Sequence, residues 1–278
     1  MAERASIPPP TLRVDRLAWR DGAFAQGGRV VPEETAVAFT YDRVTHAVMM
    51  ATPADLEDFA VGLSLAEGII REPGDIRAIE TVATDLGIEL RMDLAGTSRT
   101  VFADRRRHMA GPSGCGLCGI ESLNEAMRQL PRVGDGLTLQ PHRIAEAMNA
   151  LAAAQQLNRA AHAIHAAAFW TPRAGLVALR EDVGRHNALD KLAGAVARAG
   201  VAPSGGIVAL TSRVSIELVQ KVAIMGAPVM VAVSAPTALA IRMAEAAGIT
   251  LIGVARADGF EIFTRPDRIL SHVADHVA

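Results

Sequence analysis

Cys115 and Cys118 are the only cysteines of the chain and stand three residues apart in AGPSGCGLCGIESLNEAM, residues 110–127, among glycines 111, 114, 116 and 119. The thiolate is the reactive form, and an ordinary thiol, with a pKa of about 8.5, is only a few per cent ionised at neutral pH unless a helix N-terminus or nearby cations lower that value. Both aids lie close in sequence, because GIESLNEAM reads as a helix start and DRRRH (104–108) is the one local basic cluster. Three chemistries are open to the pair. The first is nucleophilic or redox sulfur, which the glycines suit by letting a thiol meet more than one partner. The second is a structural zinc, which would have to recruit histidines from His162, His165 or His186. The third is a zinc deaminase centre, whose H-x-E ahead of P-C-x-x-C is missing: the order is reversed, and His165 is followed by Ala166 and Ala167.

A second concentration of chemistry is REDVGRHNALDKL (180–192). Asp182, Arg185, His186, Asn187 and Asp190 fall where a strand ends and a helix begins, and His186 suits general acid or base work because imidazole titrates near neutrality. A capped helix with surface ion pairs would use the same residues. Three apolar runs also end in polar residues: GIVALT leads into Thr211, Ser212 and Arg213, PVMVAVS ends at Ser234 before Pro236 and Thr237, and ITLIGVA ends at Arg256 before Asp258 and Gly259. Ligands of open α/β sheets bind beyond such strand ends, where helix N-termini offer N–H groups to anions. Two arginines and several hydroxyls there suit a phosphorylated ligand; hydroxyls that merely cap helices would look the same.

The elements that must position these groups follow from the rest of the chain. Its 278 residues, half of them apolar, are enough for one large or two ordinary domains. A net charge of −2, from 28 basic and 30 acidic residues, excludes a general affinity for nucleic acid. Nearly all the cations are arginine, Lys191 and Lys221 being the only lysines, which reads as compositional bias. Neither a membrane span nor a secretory leader is expected from the sequence, which makes the cytoplasm the expected location. Residues 1–15 read as a proline-rich, disordered tail. Strands are predicted over 35–42, 45–52, 75–84 and 87–94, with a helix between the second and third that has Thr52 as N-cap, Pro53 at its first position and Gly68 as stop. Helices over 119–130 and 141–157 flank a turn-rich linker. Beyond them strands and helices alternate as βαβ units. The expected fold is α/β, α+β overall: an N-terminal α+β domain over 16–137 that includes the CxxC loop, and a C-terminal α/β domain over 138–278 with a largely parallel sheet covered on both faces, a three-layer α/β/α arrangement.

Five segments, GPSGCGLCG, HAAAFW, EDVGRHNALDKL, TSRVSIELVQKVAIMGAPVMVAVSAPTALAIRMAE and LIGVARADGFEIFT, occur in this order. Together they resemble the formate dehydrogenase accessory sulfurtransferases, the FdhD/NarQ family, from about residue 33 to the end. The resemblance implies a C-terminal domain similar to cytidine deaminases in fold, and a sulfurtransferase that accepts persulfide sulfur from a cysteine desulfurase. The first cysteine, here Cys115, would carry the persulfide, with Cys118 assisting or resolving. The sulfur would pass to the molybdenum or tungsten of a bis(molybdopterin guanine dinucleotide) cofactor destined for the formate dehydrogenase catalytic subunit. The family's guanine dinucleotide contacts fall on Val254, Ala255, Arg256, Ala257, Asp258 and Gly259. Ser212, Arg213 and Arg256 are then expected to help hold the nucleotide, and Asp182, Arg185 and His186 to shape the pterin or metal side. No permanently bound metal is expected, and homodimerisation is a family-based expectation. A non-catalytic chaperone that binds the cofactor and docks it to the dehydrogenase is the alternative from another functional class.

Overall fold

A computed structural model describes residues 6–107 and 129–270. It opens with a two-stranded hairpin of β1 (Thr11–Arg20) and β2 (Ala23–Pro32), paired from Thr11↔Pro32 to Arg20↔Ala23. The strand therefore starts inside the stretch expected to be a tail. The signal is Asp21-Gly22, both at positive φ (51° and 81°), the geometry of a tight turn whose twist matches the flanking strands.

A four-stranded sheet follows, in the order β4-β3-β6-β5, from β3 (Thr35–Tyr41), β4 (Val44–Ala51), β5 (Ile76–Thr84) and β6 (Gly87–Leu94). Strict alternation puts Ile88, Leu90, Met92 and Leu94 of β6 on one buried face with Val37, Phe39 and Tyr41 of β3. That face packs on α1 (Leu56–Ala66), where Phe59 meets Phe39 edge-on with ring centroids 4.8 Å apart. The helix starts later than expected: its N-cap is Asp55 at φ 54°, and Thr52, fully buried, is engaged elsewhere. A second helix, α2 (Gly96–Arg107), forms where no element was expected, and its Phe102 is buried against Tyr41.

The larger sheet has the order β12-β11-β10-β9-β7-β8, made of β7 (His165–Thr171), β8 (Gly175–Asp182), β9 (Ile207–Leu210), β10 (Val229–Ala232), β11 (Thr250–Arg256) and β12 (Gly259–Ile262). Helices α5 (Arg185–Arg198), α6 (Ile216–Met225) and α7 (Ala238–Ala247) supply Leu189, Leu192, Leu218, Val222 and Ala244 to a core shared with Phe169, Val208, Met230 and Leu251. On the other face α3 (Pro141–Ala154) packs Ile144, Ala147 and Leu151 against Trp170, Ala209, Val231 and Ile252. The three layers match expectation, whereas the sheet is mixed. Only β9, β10 and β11 run parallel; β7 is antiparallel to β8 and β9, and β12 to β11. The short β7–β8 and β11–β12 connections are the reason, since a parallel neighbour needs a long crossover.

The expected helix over 141–157 is divided at Gln155 into α3 and α4 (Gln156–Ala161), because the Glu181 carboxylate accepts hydrogen bonds from the amides of Gln156, Leu157 and Asn158 at 2.8–2.9 Å and so caps a new start. Of the helix expected over 119–130, residues 119–128 lie outside the described residues, and Gln129 and Leu130 are not helical. The expected linker is pinned to the larger sheet by the buried Arg268, which donates to the carbonyls of Gly248 and Gly134 and pairs with Asp135 at 3.0 Å.

The two sheets are joined where α1 crosses α5. A Cβ on Gly62 would collide with the Asp190 carbonyl, and one on Gly194 with the Asp58 carbonyl, so the backbones touch. Around this contact Asp58 accepts from Arg180 (2.7 and 2.8 Å) and Arg198 (2.6 Å). Replacing Gly194 by alanine is expected to lower unfolding free energy by about 1–3 kcal/mol, the usual cost of overpacking. Gly205→Ala, in open space, serves as the control; chemical denaturation of both variants checks it, and equal midpoints would contradict a close crossing.

Candidate functional site

The carboxyl ends of β8, β9, β10 and β11 and the N-termini of α5, α6 and α7 meet at one edge of the larger sheet. His165 at the start of β7 lies opposite Asp182, and Ala167 opposite Leu210, so β8 and β9 end together. The Thr211 hydroxyl accepts from the Ala166 amide at 2.9 Å and stands 3.5 Å from Nδ1 of His165. The loops beyond the strands are stitched side by side: Val214 pairs with Pro236, Thr237 N–H donates to the Val214 carbonyl (3.0 Å), and Val254 N–H to the Ser234 carbonyl (3.4 Å). This joins Ser212, Arg213, Ser234 and Val254 into one continuous rim.

Along this rim Ser212 is buried and donates to the Arg213 carbonyl at 3.1 Å, while Arg213 is exposed. Val254 has φ 51°, an unfavourable conformation for a β-branched residue, within a bulge of β11 between Gly253 and Arg256. Gly253 permits it, since a Cβ there would press on Pro236 and Phe263. Ala255 is buried, and Arg256, Ala257, Asp258 and Gly259 form an exposed turn. The structure thus brings Ser212, Arg213 and the 254–259 segment to the same edge. Thr237 caps α7 through its hydroxyl (3.2 Å to Ala240 N), whereas α5 and α6 begin at Gly184 and Ser215 without a side-chain cap.

Asp182, expected at the ligand, is instead fully buried and fully engaged. One carboxylate oxygen takes Lys191 Nζ (2.6 Å) and the Thr52 amide (3.0 Å); the other takes the Gly184 amide (2.7 Å) and Asn187 Nδ2 (3.0 Å). Thr52 returns the contact, its hydroxyl accepting from Val183 N–H and its carbonyl from Lys191 at 2.8 Å. Asp182 is therefore a positioning residue that orients the start of α5. Burial pushes the Lys191 ammonium toward lower pKa, with Asp182 opposing.

Arg185 and His186 do face the rim side, where α5 and α6 form two rungs. His186 lies near Glu217, and Asp190 pairs with Lys221 at 2.6 Å. Burial, then Arg185 and Lys221, push His186 down to about 4 against the pull of Glu217. At neutral pH it is an uncharged hydrogen-bonding group rather than a base poised near pH 7. Burial also lowers His165, and it raises Asp190 with Lys221 opposing. Among the described residues Arg185 Nε, His186 Nε2 and Asp190 Oδ2 are buried without a hydrogen-bond partner, whereas the Ser215 side chain and the Glu217 backbone N–H hydrogen-bond the Glu217 carboxylate and, against burial, hold it below the usual carboxylate range. Among the described residues no group of three histidine, cysteine or carboxylate side chains is placed to hold a metal. Glu217 and Lys221 are not singled out by the sequence analysis; their signal is the two charges four residues apart in the largely apolar IELVQKVAIM. Cys115 and Cys118 lie outside the described residues.

The sequence model of the FdhD/NarQ family matches residues 32–270. The chain belongs to the FdhD/NarQ family. Its relatives include proteins named sulfur carrier protein FdhD from Agrobacterium fabrum, 56% identical over 95% of this chain and 98% of that one, and from Brucella abortus, 52% identical over 92% and 96%. Another of the same name, from Cupriavidus necator, is 47% identical over 96% and 93%. The fold matches a crystal structure from Desulfotalea psychrophila, described as a formate dehydrogenase accessory protein, with a TM-score of 0.76 at 24% identity, over 94% of this chain and all of that one. Within this FdhD/NarQ chain no described helix is long and apolar enough to cross a membrane.

The neutral state of His186 has a consequence for stability. In the unfolded chain a histidine takes up its proton near pH 6.5, whereas the folded protein resists until about 4. The unfolded state thus binds more protons in this window, and stability falls as pH drops from 6.5 toward 4. Denaturant titrations at about pH 7 and pH 5 are expected to show the wild type losing on the order of 1–2 kcal/mol more than His186→Gln. Equal losses would show that the imidazole does not resist protonation.

Proposed function

We propose that this FdhD/NarQ protein is a sulfur carrier that serves formate dehydrogenase, taking persulfide sulfur on Cys115 and delivering it to a cofactor held at the strand-end rim. The observation that carries the reading is near-full-length identity, up to 56%, to proteins named sulfur carrier protein FdhD. The rim supports it from the physical side. Exposed Arg213 and Arg256 and the uncapped start of α5 offer charge and N–H groups to the phosphates of a nucleotide-bearing cofactor.

In the first step the Cys115 thiolate attacks the terminal sulfur of a persulfide on a cysteine desulfurase. A new S–S bond forms at Cys115, the old one breaks, and the desulfurase thiolate leaves. In the second, the Cys118 thiolate attacks the Cys115 sulfur. A Cys115–Cys118 disulfide forms, and the outer sulfur, now carrying the electron pair of the broken bond, leaves as hydrosulfide for the client metal. Turnover then needs an external dithiol to reduce the disulfide. The client is a molybdenum or tungsten bis(molybdopterin guanine dinucleotide), and Val254 to Gly259 are its proposed nucleotide contacts. The alternative is a non-catalytic chaperone that binds the cofactor and docks it to the dehydrogenase.

Incubation with a cysteine desulfurase and cysteine, followed by intact-protein mass measurement, separates the readings. The carrier gains a sulfur, and Cys115→Ala abolishes both the gain and activation of formate dehydrogenase. No added sulfur together with a fully active Cys115→Ala protein would establish the chaperone.

A further inference from the structure

The hairpin of β1 and β2 stands outside the sulfur chemistry. Its strands run about 33 Å each, and among the described elements α4, against β2, is the one that packs substantially on it. A two-stranded ribbon by itself is marginal in water, yet this one holds Leu12, Val14, Leu17, Trp19 and Phe24 at 40–69% exposure. Near the turn Trp19 lies opposite Phe24, with ring centroids 4.8 Å apart, and alternation puts Leu17 on the same face. The other face is basic. Arg16, Arg20 and Arg29 stand opposite Gly27, Ala23 and Val14, and among the described residues no carboxylate pairs with them. The arm springs from the rim side of the molecule. Glu33 N–H donates to the Pro10 carbonyl at 2.9 Å and closes its base. Thr35 then lies opposite Ala51, and the next residue, Thr52, holds Asp182 at the end of β8.

We propose that this hairpin is a docking arm for the protein that takes cargo from the rim, and that it fits an acidic surface with an apolar notch. Trp19 and Phe24, with Leu17 beside them, fill the notch, and Arg16, Arg20 and Arg29 meet the carboxylates around it. Tryptophan and arginine are the residue types that carry most binding energy where proteins meet, and complementary charge steers the encounter. A protein that reaches the rim comes up against the base of this arm, which singles out the recipient. On the sulfur-carrier reading, on which this identification rests, the recipient is the formate dehydrogenase catalytic subunit. A second arm is a poorer occupant, because it would set the same arginines against their own copies. An anionic bilayer is poorer too, since Asp21 puts a carboxylate in the turn at the tip.

Binding of the full-length protein to immobilised formate dehydrogenase catalytic subunit, purified without its cofactor and followed in real time, tests the arm. Trp19→Ala combined with Phe24→Ala should weaken binding about tenfold or more, through faster dissociation. Arg16→Glu combined with Arg20→Glu and Arg29→Glu should weaken it by a similar factor, through slower association and a flatter dependence on salt. Arg173→Glu, exposed in the turn between β7 and β8 at the far edge of the sheet, should change nothing. The charge variant keeps the aromatic pair, so it reports on the arm where the ribbon frays without Trp19, and melting curves establish that each variant folds. Wild-type affinity in both arm variants, or no binding of the wild type, would overturn the docking assignment. So would arm variants that change oligomeric mass in light scattering, or lose binding to anionic phospholipid vesicles, while their dehydrogenase binding stays intact; the occupant would then be a second copy or a bilayer. The sulfur gain at Cys115 should be the same in the wild type and the arm variants. Its absence from the wild type would overturn the carrier reading and leave dehydrogenase binding to decide the arm.

Discussion

The Asp182–Lys191 ion pair, closed over by Thr52, is the contact on which the arrangement of the molecule depends. Two charges removed from water gain stability only if every remaining hydrogen-bonding position is filled. Here Asp182 receives four donors, and Lys191 adds the Thr52 carbonyl and the face of the Phe59 ring, 5.4 Å from Nζ. Thr52 follows directly on β4 of the smaller sheet, while Asp182 ends β8 of the larger. One buried node therefore ties the sheets together and sets where α5 begins.

The rest of the junction repeats this combination of charge and close approach. Asp58 gathers two arginines from the other unit, and Gly62 and Gly194 bring α1 and α5 backbone to backbone. Because α5 is both the helix that α1 packs on and the helix whose first turn carries Arg185 and His186, a shift at the junction would be felt at the rim. The strained Val254 bulge holds the opposite end of that rim through the Ser234 carbonyl.

How much of this was legible depended on whether a feature is local. The short apolar runs at 207–210, 229–232 and 250–256 announce buried strands by composition alone, and β6 by its alternation. The start of α1 was misplaced because Thr52-Pro53 has the form of a capped helix start, while the hydroxyl is claimed by Val183, more than a hundred residues away. Direction in the sheet was misjudged since apolar content does not distinguish parallel from antiparallel strands. The segment 180–192 is dense in charge in the sequence, but its members divide by burial, which sequence does not display: Asp182 and Asp190 point inward to lysines, and Arg185 and His186 stay toward the edge. Glu217, Lys221 and Ser215 join them only through the packing of α6 on α5.

The two lysines carry one more implication. In a chain that uses arginine for every other cation, both lysines sit against aspartates in the interior. Lys191 is wholly enclosed and Lys221 nearly so. The native fold thus withholds the Lys191 amine from solvent, so acylating reagents and amine-directed cross-linkers reach it only when the contact between Thr52 and the larger sheet opens, whereas Lys221 borders a cleft.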